Sequence, residues 1–257
     1  MKRYLNPICI FLFCHIIGIS EYTQASPPVA DHVFFKLKTQ IETYQFSYNE
    51  DVVRSLLNQA LDQIGKYPNR WYPRYYSGLI NIQLGNIFRA DDRKLAYRYY
   101  KEALKHVQIA HKQSPNSENT IVLANVYGKL ASLKTFKMLY YGSKSKSYLM
   151  DAFQMNERNP KSYLLAGIEI MWTPMIFGGS KKRAREFLNN ALVLESTWQE
   201  TDRFIVRWAT PAEIFAHLAQ LEILCETLTQ ARHYAAKALH LIPDYGFVRR
   251  DVIPQID

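Results

Sequence analysis

A pattern of four positions returns five times along this chain with nearly the same composition and the same internal steps. Ala231, Ala235, Ala238 and Pro243 are four, three and five residues apart, and Ala103, Val107, Ala110 and Pro115 keep those steps. Ala184, Leu188, Ala191 and Ser196 repeat them without the proline, and weaker copies fall at Val53, Leu57, Ala60 and Gly65 and at Ser145, Leu149, Ala152 and Glu157. Steps of four and three bring a side chain back to one face of an α-helix, and small residues on that face let a second helix approach closely. A proline beyond them stops the helix. Units of this kind cannot bury their apolar faces alone, so the pattern demands stacked helix pairs. The 10 glycines and 11 prolines in 257 residues are also too few for many short strands.

Phe215, Leu218 and Ala219 precede the strongest copy, and Tyr163, Ala166 and Gly167 stand in the corresponding places before Ala184. Large residues at Phe215 and Leu218, small ones at Ala219 and Ala231 and a stop at Pro243 give this stretch its character. It resembles the tetratricopeptide repeat (TPR) family. The resemblance implies an all-α chain, an irregular TPR-like α-solenoid of about five antiparallel helix pairs. Gly167, Ala184, Ala191, Phe215, Ala219, Ala231, Ala238 and Pro243 are its expected packing positions.

The copies are unevenly spaced. Gly167 to Ala184 takes 17 steps where Ala219 to Ala231 takes 12, the difference being an apolar insertion over Trp172-Thr173-Pro174-Met175-Ile176-Phe177-Gly178-Gly179. A similar enlargement separates Gly78 from Ala103, across Gln83 to Lys94. Asn159-Pro160, Gly167, the Phe-Gly-Gly end of the insertion and the following Lys182 to Ala191 helix make this form similar to exported bacterial TPR-like proteins, including the T components associated with TRAP transporters. That likeness implies a periplasmic helical protein that cooperates with a solute-binding subunit in handling an apolar or organic-acid ligand. Cys14 follows the bulky Phe13, a departure that puts a lipid-tethered version in doubt.

The first residues read as an export signal. Met1-Lys2-Arg3 is positive, Ile8 to Ile19 is apolar but interrupted by His15 and Gly18, and Thr23-Gln24-Ala25 suits cleavage. Residues 1–25 are therefore expected to be a signal peptide and 26–257 one TPR-like helical domain, periplasmic or secreted, with no stable transmembrane segment after cleavage. Cleavage leaves Cys225 as the last cysteine, so packing and not an internal disulfide must hold the fold. Cys225 ends the apolar run from Leu221, where a buried, inert thiol is expected. Apolar residues at 48% and charged residues at 21% exclude a disordered or collagen-like chain and a polytopic membrane protein. The net charge of +9 favours acidic partners.

Catalytic constellations are missing. The histidines at 32, 106, 111, 217, 233 and 240 include no His-Glu-x-x-His pair, and no nucleophile elbow, phosphate loop or dinucleotide fingerprint occurs, so neither a metal nor a cofactor is expected. Tyr97-Arg98-Tyr99-Tyr100-Lys101 has the composition of a single-strand binder, but on a helix its side chains diverge, and no nucleic-acid partner is expected. Trp71 to Tyr76 reads as the aromatic start of a packed helix.

The more specific candidates lie around the insertion. Trp172, Met175, Ile176 and Phe177 either line a ligand cavity or fill the gap that the longer turn creates. Ser180 is placed to cap a helix whose first turn holds Lys181, Lys182 and Arg183, a set suited to a carboxylate, a phosphate or an acidic head group. A peptide clamp is disfavoured, because the inward positions near Leu164 and Ile168 are apolar. The reading is a non-enzymatic exported binding or scaffold protein that holds a protein partner or an apolar or organic-acid ligand in a groove beside the insertion, with an oligomer left open. An exported cell-envelope hydrolase with an unrecognised site is the alternative, to be favoured by acidic and histidine side chains converging in a cleft.

Overall fold

The computed structural model describes residues 28–257, so the expected signal peptide lies outside it. Ten α-helices follow in order: α1 (Pro28–Tyr44), α2 (Glu50–Lys66), α3 (Tyr72–Phe88), α4 (Arg93–Gln113), α5 (Ser117–Leu133), α6 (Met138–Met155), α7 (Pro160–Trp172), α8 (Lys181–Glu195), α9 (Pro211–Leu224) and α10 (Leu228–Leu241). There is no strand among the described residues. Successive helices pack as the pairs α1/α2, α3/α4, α5/α6, α7/α8 and α9/α10.

Local chemistry sets the boundaries. The side chains of Asn49, Asp92, Asn116, Asn159, Ser180 and Thr210 each accept a backbone N–H at a helix start, and prolines at 160 and 211 occupy first-turn positions that need no donor. The repeated pattern is the contact face of the second helices. Ala103, Val107, Ala110, Ala184, Leu188, Ala191, Ala231, Ala235 and Ala238 are all fully buried. In α2 the face is turned slightly: Val53 and Ala60 are buried, but Leu56 carries the middle contact and Leu57 is only half-buried. Gly167 faces the same surface from the first helix, where an added Cβ would stand 2.8 Å from the Leu188 side chain.

The two enlargements take different forms. Between Gly78 and Ala103 the extra residues lengthen α3 and α4, leaving only Arg89 to Asp92 as the turn. Between α7 and α8 they form a short 3₁₀ turn, Met175–Phe177, closed by Gly178 at a φ of 91°.

Two segments beyond the helix pairs complete the core. The connection from α8 to α9 buries Phe204, Ile205, Val206, Trp208 and Ala209. After α10 the chain turns back through Tyr245, Phe247, Val248 and Val252, which pack with Phe46 and the alanines of α9 and α10. These segments tie the end of the chain to its beginning: Gly246 N–H donates to Phe46 O at 2.9 Å, Gln45 Nε2 to Arg207 O of the α8–α9 connection at 2.8 Å and Arg250 Nη1 to Ile87 O of α3 at 2.6 Å.

Candidate binding groove

In a stack of helix pairs the first helices line the concave face. Tyr75 of α3, Glu118 of α5 and Lys161 of α7 occupy equivalent places there, each 43 residues from the next. Tyr75 Oη donates to Glu118 Oε1 at 2.6 Å, and Lys161 Nζ reaches Glu118 Oε2 at 2.7 Å. Lys161 is 1% exposed and Glu118 3%, so this ion pair is wholly withdrawn from water. Such a pair persists only when its remaining hydrogen-bonding capacity is met.

The chain's own α8–α9 connection meets it. Lys161 Nζ donates to Glu200 Oε2 at 2.9 Å and to Val206 O at 3.2 Å, and Trp208 Nε1 donates to Glu118 Oε1 at 2.8 Å. Val206 N–H donates to Tyr75 Oη at 3.2 Å, and Tyr76 Oη donates to Phe204 O at 2.7 Å. Burial and the Glu118 carboxylate hold the Tyr75 phenol well above its usual range, so it stays a donor. Residues 200–208 thus lie along the first helices, turning over 202–205 and then running past Tyr75, Glu118 and Lys161 over 206–208.

Farther along the same helices the concave positions are half-buried and polar: Asn125 and Lys129 on α5, Glu213 and His217 on α9 and Arg89 after α3. Burial and the Arg89 guanidinium hold the Lys129 ammonium down to about 8. Burial, reinforced by Lys129, holds the His217 imidazole down to about 3, so it is neutral. Burial raises the Glu213 carboxyl, against the effect of the Ala209 N–H that donates to it at 2.8 Å. That contact fixes Ala209 at a φ of 58°, a left-handed conformation disfavoured for alanine. Lys129 forms no hydrogen bond or ion pair with a described residue. On the neighbouring face Glu169 is raised by burial to about 7 and contacts Ser145.

The residues singled out in the sequence are distributed differently. Trp172 and Phe177 are exposed, and Met175 and Ile176, at 86% and 85% exposure, neither fill a gap in the core nor wall a groove. The reason is the turn itself: Gly179 N–H donates to Pro174 O and Phe177 N–H to Pro174 O, which fold the insertion on itself and away from the helices. Ser180 caps α8 as expected. Lys181 turns back to donate to Met171 O at 2.6 Å, while Lys182 and Arg183 are exposed. Phe215 is half-buried against Tyr234.

The sequence-based expectation of an apolar inward surface near Leu164 and Ile168 needs correction. Lys161, one turn before Leu164, faces inward and is charged, but its bonds are taken by its own chain. Cys225 is half-buried at the end of α9, with its sulfur 3.7 Å from Arg185 Nη2, and is not sealed in the core. Within Tyr97 to Lys101 the side chains diverge: Tyr100 is buried and donates to Asn86 Oδ1, while Arg98 and Lys101 are exposed. The groove residues Tyr75, Glu118, Lys161, Val206 and Trp208 and the unpaired Lys129 were missed. A signal for them exists in the Phe204-Ile205-Val206 run with Trp208, which lacks helical period, and in a lysine opening the otherwise apolar first turns of α7.

No family model and no curated protein sequence matches this chain. Among solved structures it is similar to TTC0263, a thermophilic TPR protein in Thermus thermophilus, over 88% of this chain and 98% of that one, with a TM-score of 0.62 and 20% identity. The fold is TPR-like. The TPR-like helix pairs are similar also to the HusA haemophore from Porphyromonas gingivalis, over 76% of this chain and 92% of that one, with a TM-score of 0.60 and 18% identity. At these identities the likeness is one of fold.

Proposed function

We propose that this TPR-like chain is an exported, non-enzymatic binding protein whose concave face takes an organic acid with an apolar body. The observation that carries this reading is Lys129, a half-buried cation on the concave face that forms no hydrogen bond or ion pair with a described residue, held between a second cation, Arg89, and the more distant carboxylates of Glu213 and Asp251. A half-buried ammonium beside another cation gains from a carboxylate that supplies a direct acceptor. The Tyr75, Glu118 and Lys161 positions of the groove are already occupied by residues 200–208, which favours a small ligand over a peptide. That a haemophore shares the fold agrees with a small-molecule role. Export through residues 1–25 and a part in solute uptake, as the T-component resemblance implies, belong to the same proposal.

Glu213 and His217 converge with Lys129, the pattern that would favour the hydrolase alternative. Their bonds weigh against it: Glu213 caps the Ala209 amide, and His217 Nδ1 is 3.4 Å from Gln220 Oε1 with its ring against Phe247.

Decanoate titrated by calorimetry tests the reading, with decanol as the neutral control. Decanoate should bind more tightly than decanol, and Lys129→Met should weaken it about 10- to 100-fold, the worth of one hydrogen bond to a charged group. The contact needs protonated Lys129 and ionised decanoate, so affinity should be level from about pH 6 to 8, fall as the pH rises through and above 8, and fall again where the carboxylate protonates, below about pH 5. Equal binding of both probes, or no effect of Lys129→Met, would reject the assignment.

A further inference from the structure

The edge of the stack where first helices turn into second helices carries an unusual surface. Three neighbouring turns share it. Arg93, after the α3–α4 turn, donates to Ser132 O near the end of α5, and Lys134 lies 4.6 Å from the ring of Tyr97. Ser145, two turns into α6, contacts Glu169, one turn before the end of α7, so α6 and α7 run together toward the edge that carries the α5–α6 and α7–α8 turns.

Those two turns project large apolar side chains into solvent. Phe136, Leu139 and Tyr140 come from the first, and Trp172, Ile176 and Phe177 from the second, with Phe136 fully exposed and Ile176 85% exposed. Single exposed hydrophobes are ordinary, but a cluster contributed by two adjacent loops is a recognition surface. Its surroundings are mainly basic, with Glu169 half-buried and Asp151 and Glu186 exposed at the borders. No acidic residue occurs from 134 to 150 or from 170 to 185, while Lys137, Lys144, Lys146, Lys182 and Arg183 are exposed and form no ion pair among the described residues. The acids of the adjoining α3–α4 turn, Asp91 and Asp92, mark the limit of the patch on that side.

We infer that this edge docks on an anionic lipid bilayer. Exposed aromatic and aliphatic tips on two turns of the same edge suit shallow entry into the head-group region, where Trp and Tyr are favoured. The surrounding lysines and Arg183 suit the negative surface. A protein partner's apolar face would supply the first match but not the second, and no described helix is long and apolar enough to span a membrane. The inference does not depend on the concave-face ligand.

Vesicle co-sedimentation of the full chain tests it, using phosphatidylglycerol vesicles against phosphatidylcholine vesicles, with Phe136→Ser/Ile176→Ser and Lys182→Glu/Arg183→Glu as variants. All four positions are exposed, and unchanged thermal unfolding confirms that the variants fold. Because every form carries the same N-terminal segment, differences between them report on the edge. Expected are preference for phosphatidylglycerol, weakening with added salt, and at least a tenfold loss in each double variant. Equal binding to both lipids, no binding, or binding unchanged by the substitutions would overturn the inference. So would a wild-type oligomer that the variants convert to monomer without vesicle binding, since a second copy would then cover the edge.

Discussion

Lys161 shows how a single residue ties the fold to its groove. Its ammonium bonds Glu118, Glu200 and the Val206 carbonyl while almost entirely buried, so removing it strands a carboxylate in the interior. Lys161→Met is expected to destabilise by about 3 to 5 kcal/mol, and adding Glu118→Gln should recover part of that loss, both measured by urea unfolding. Glu169 gives a pH signature at the same scale. Its carboxyl is raised from 4.5 in the unfolded chain to about 7 in the fold, so its stabilising effect is full below 4.5 and lost as pH rises through 7. The melting temperature should therefore fall across that window, and Glu169→Gln should flatten the decline. Neither residue was legible in the sequence. Each owes its role to partners tens of residues away, and a lone charge in an apolar helix does not reveal which carboxylate or carbonyl it meets.

The helices themselves were legible, because their signals are local. Steps of four and three placed Ala103, Val107 and Ala110, and Asn159-Pro160 marked the start of α7. Close approach was legible too: Ala231 is fully buried in the last pair, so Ala231→Phe should overpack it and cost about 1 to 3 kcal/mol in thermal or chemical unfolding. An unchanged midpoint would mean that the second-helix register is wrong. The insertion after α7 stands where the uneven spacing places it, but its side chains project into solvent and do not fill the core. Periodicity reports which residues interrupt a helix, whereas the hydrogen bonds to Pro174 O that turn them outward depend on backbone geometry.

At the scale of the molecule, five helix pairs offer a concave face that the chain partly occupies itself. The connection between α8 and α9 has no repeat counterpart, so repeat-based reading treated it as a linker, although its run of Phe204, Ile205, Val206 and Trp208 is too apolar to stand in water. It bonds three successive first helices through Tyr75, Glu118 and Lys161, and the C-terminal segment joins the last pair to the first through Gly246 and to α3 through Arg250. Beyond that segment the concave face presents Lys129, which no described residue bonds. Hydrogen–deuterium exchange across residues 203–209 probes this self-filled groove most directly. The Val206 amide, donated to Tyr75, should exchange as slowly as amides in the middle of α3, and Lys161→Met should accelerate it. Exchange of this segment at the rate of an exposed loop would contradict a groove filled by its own chain.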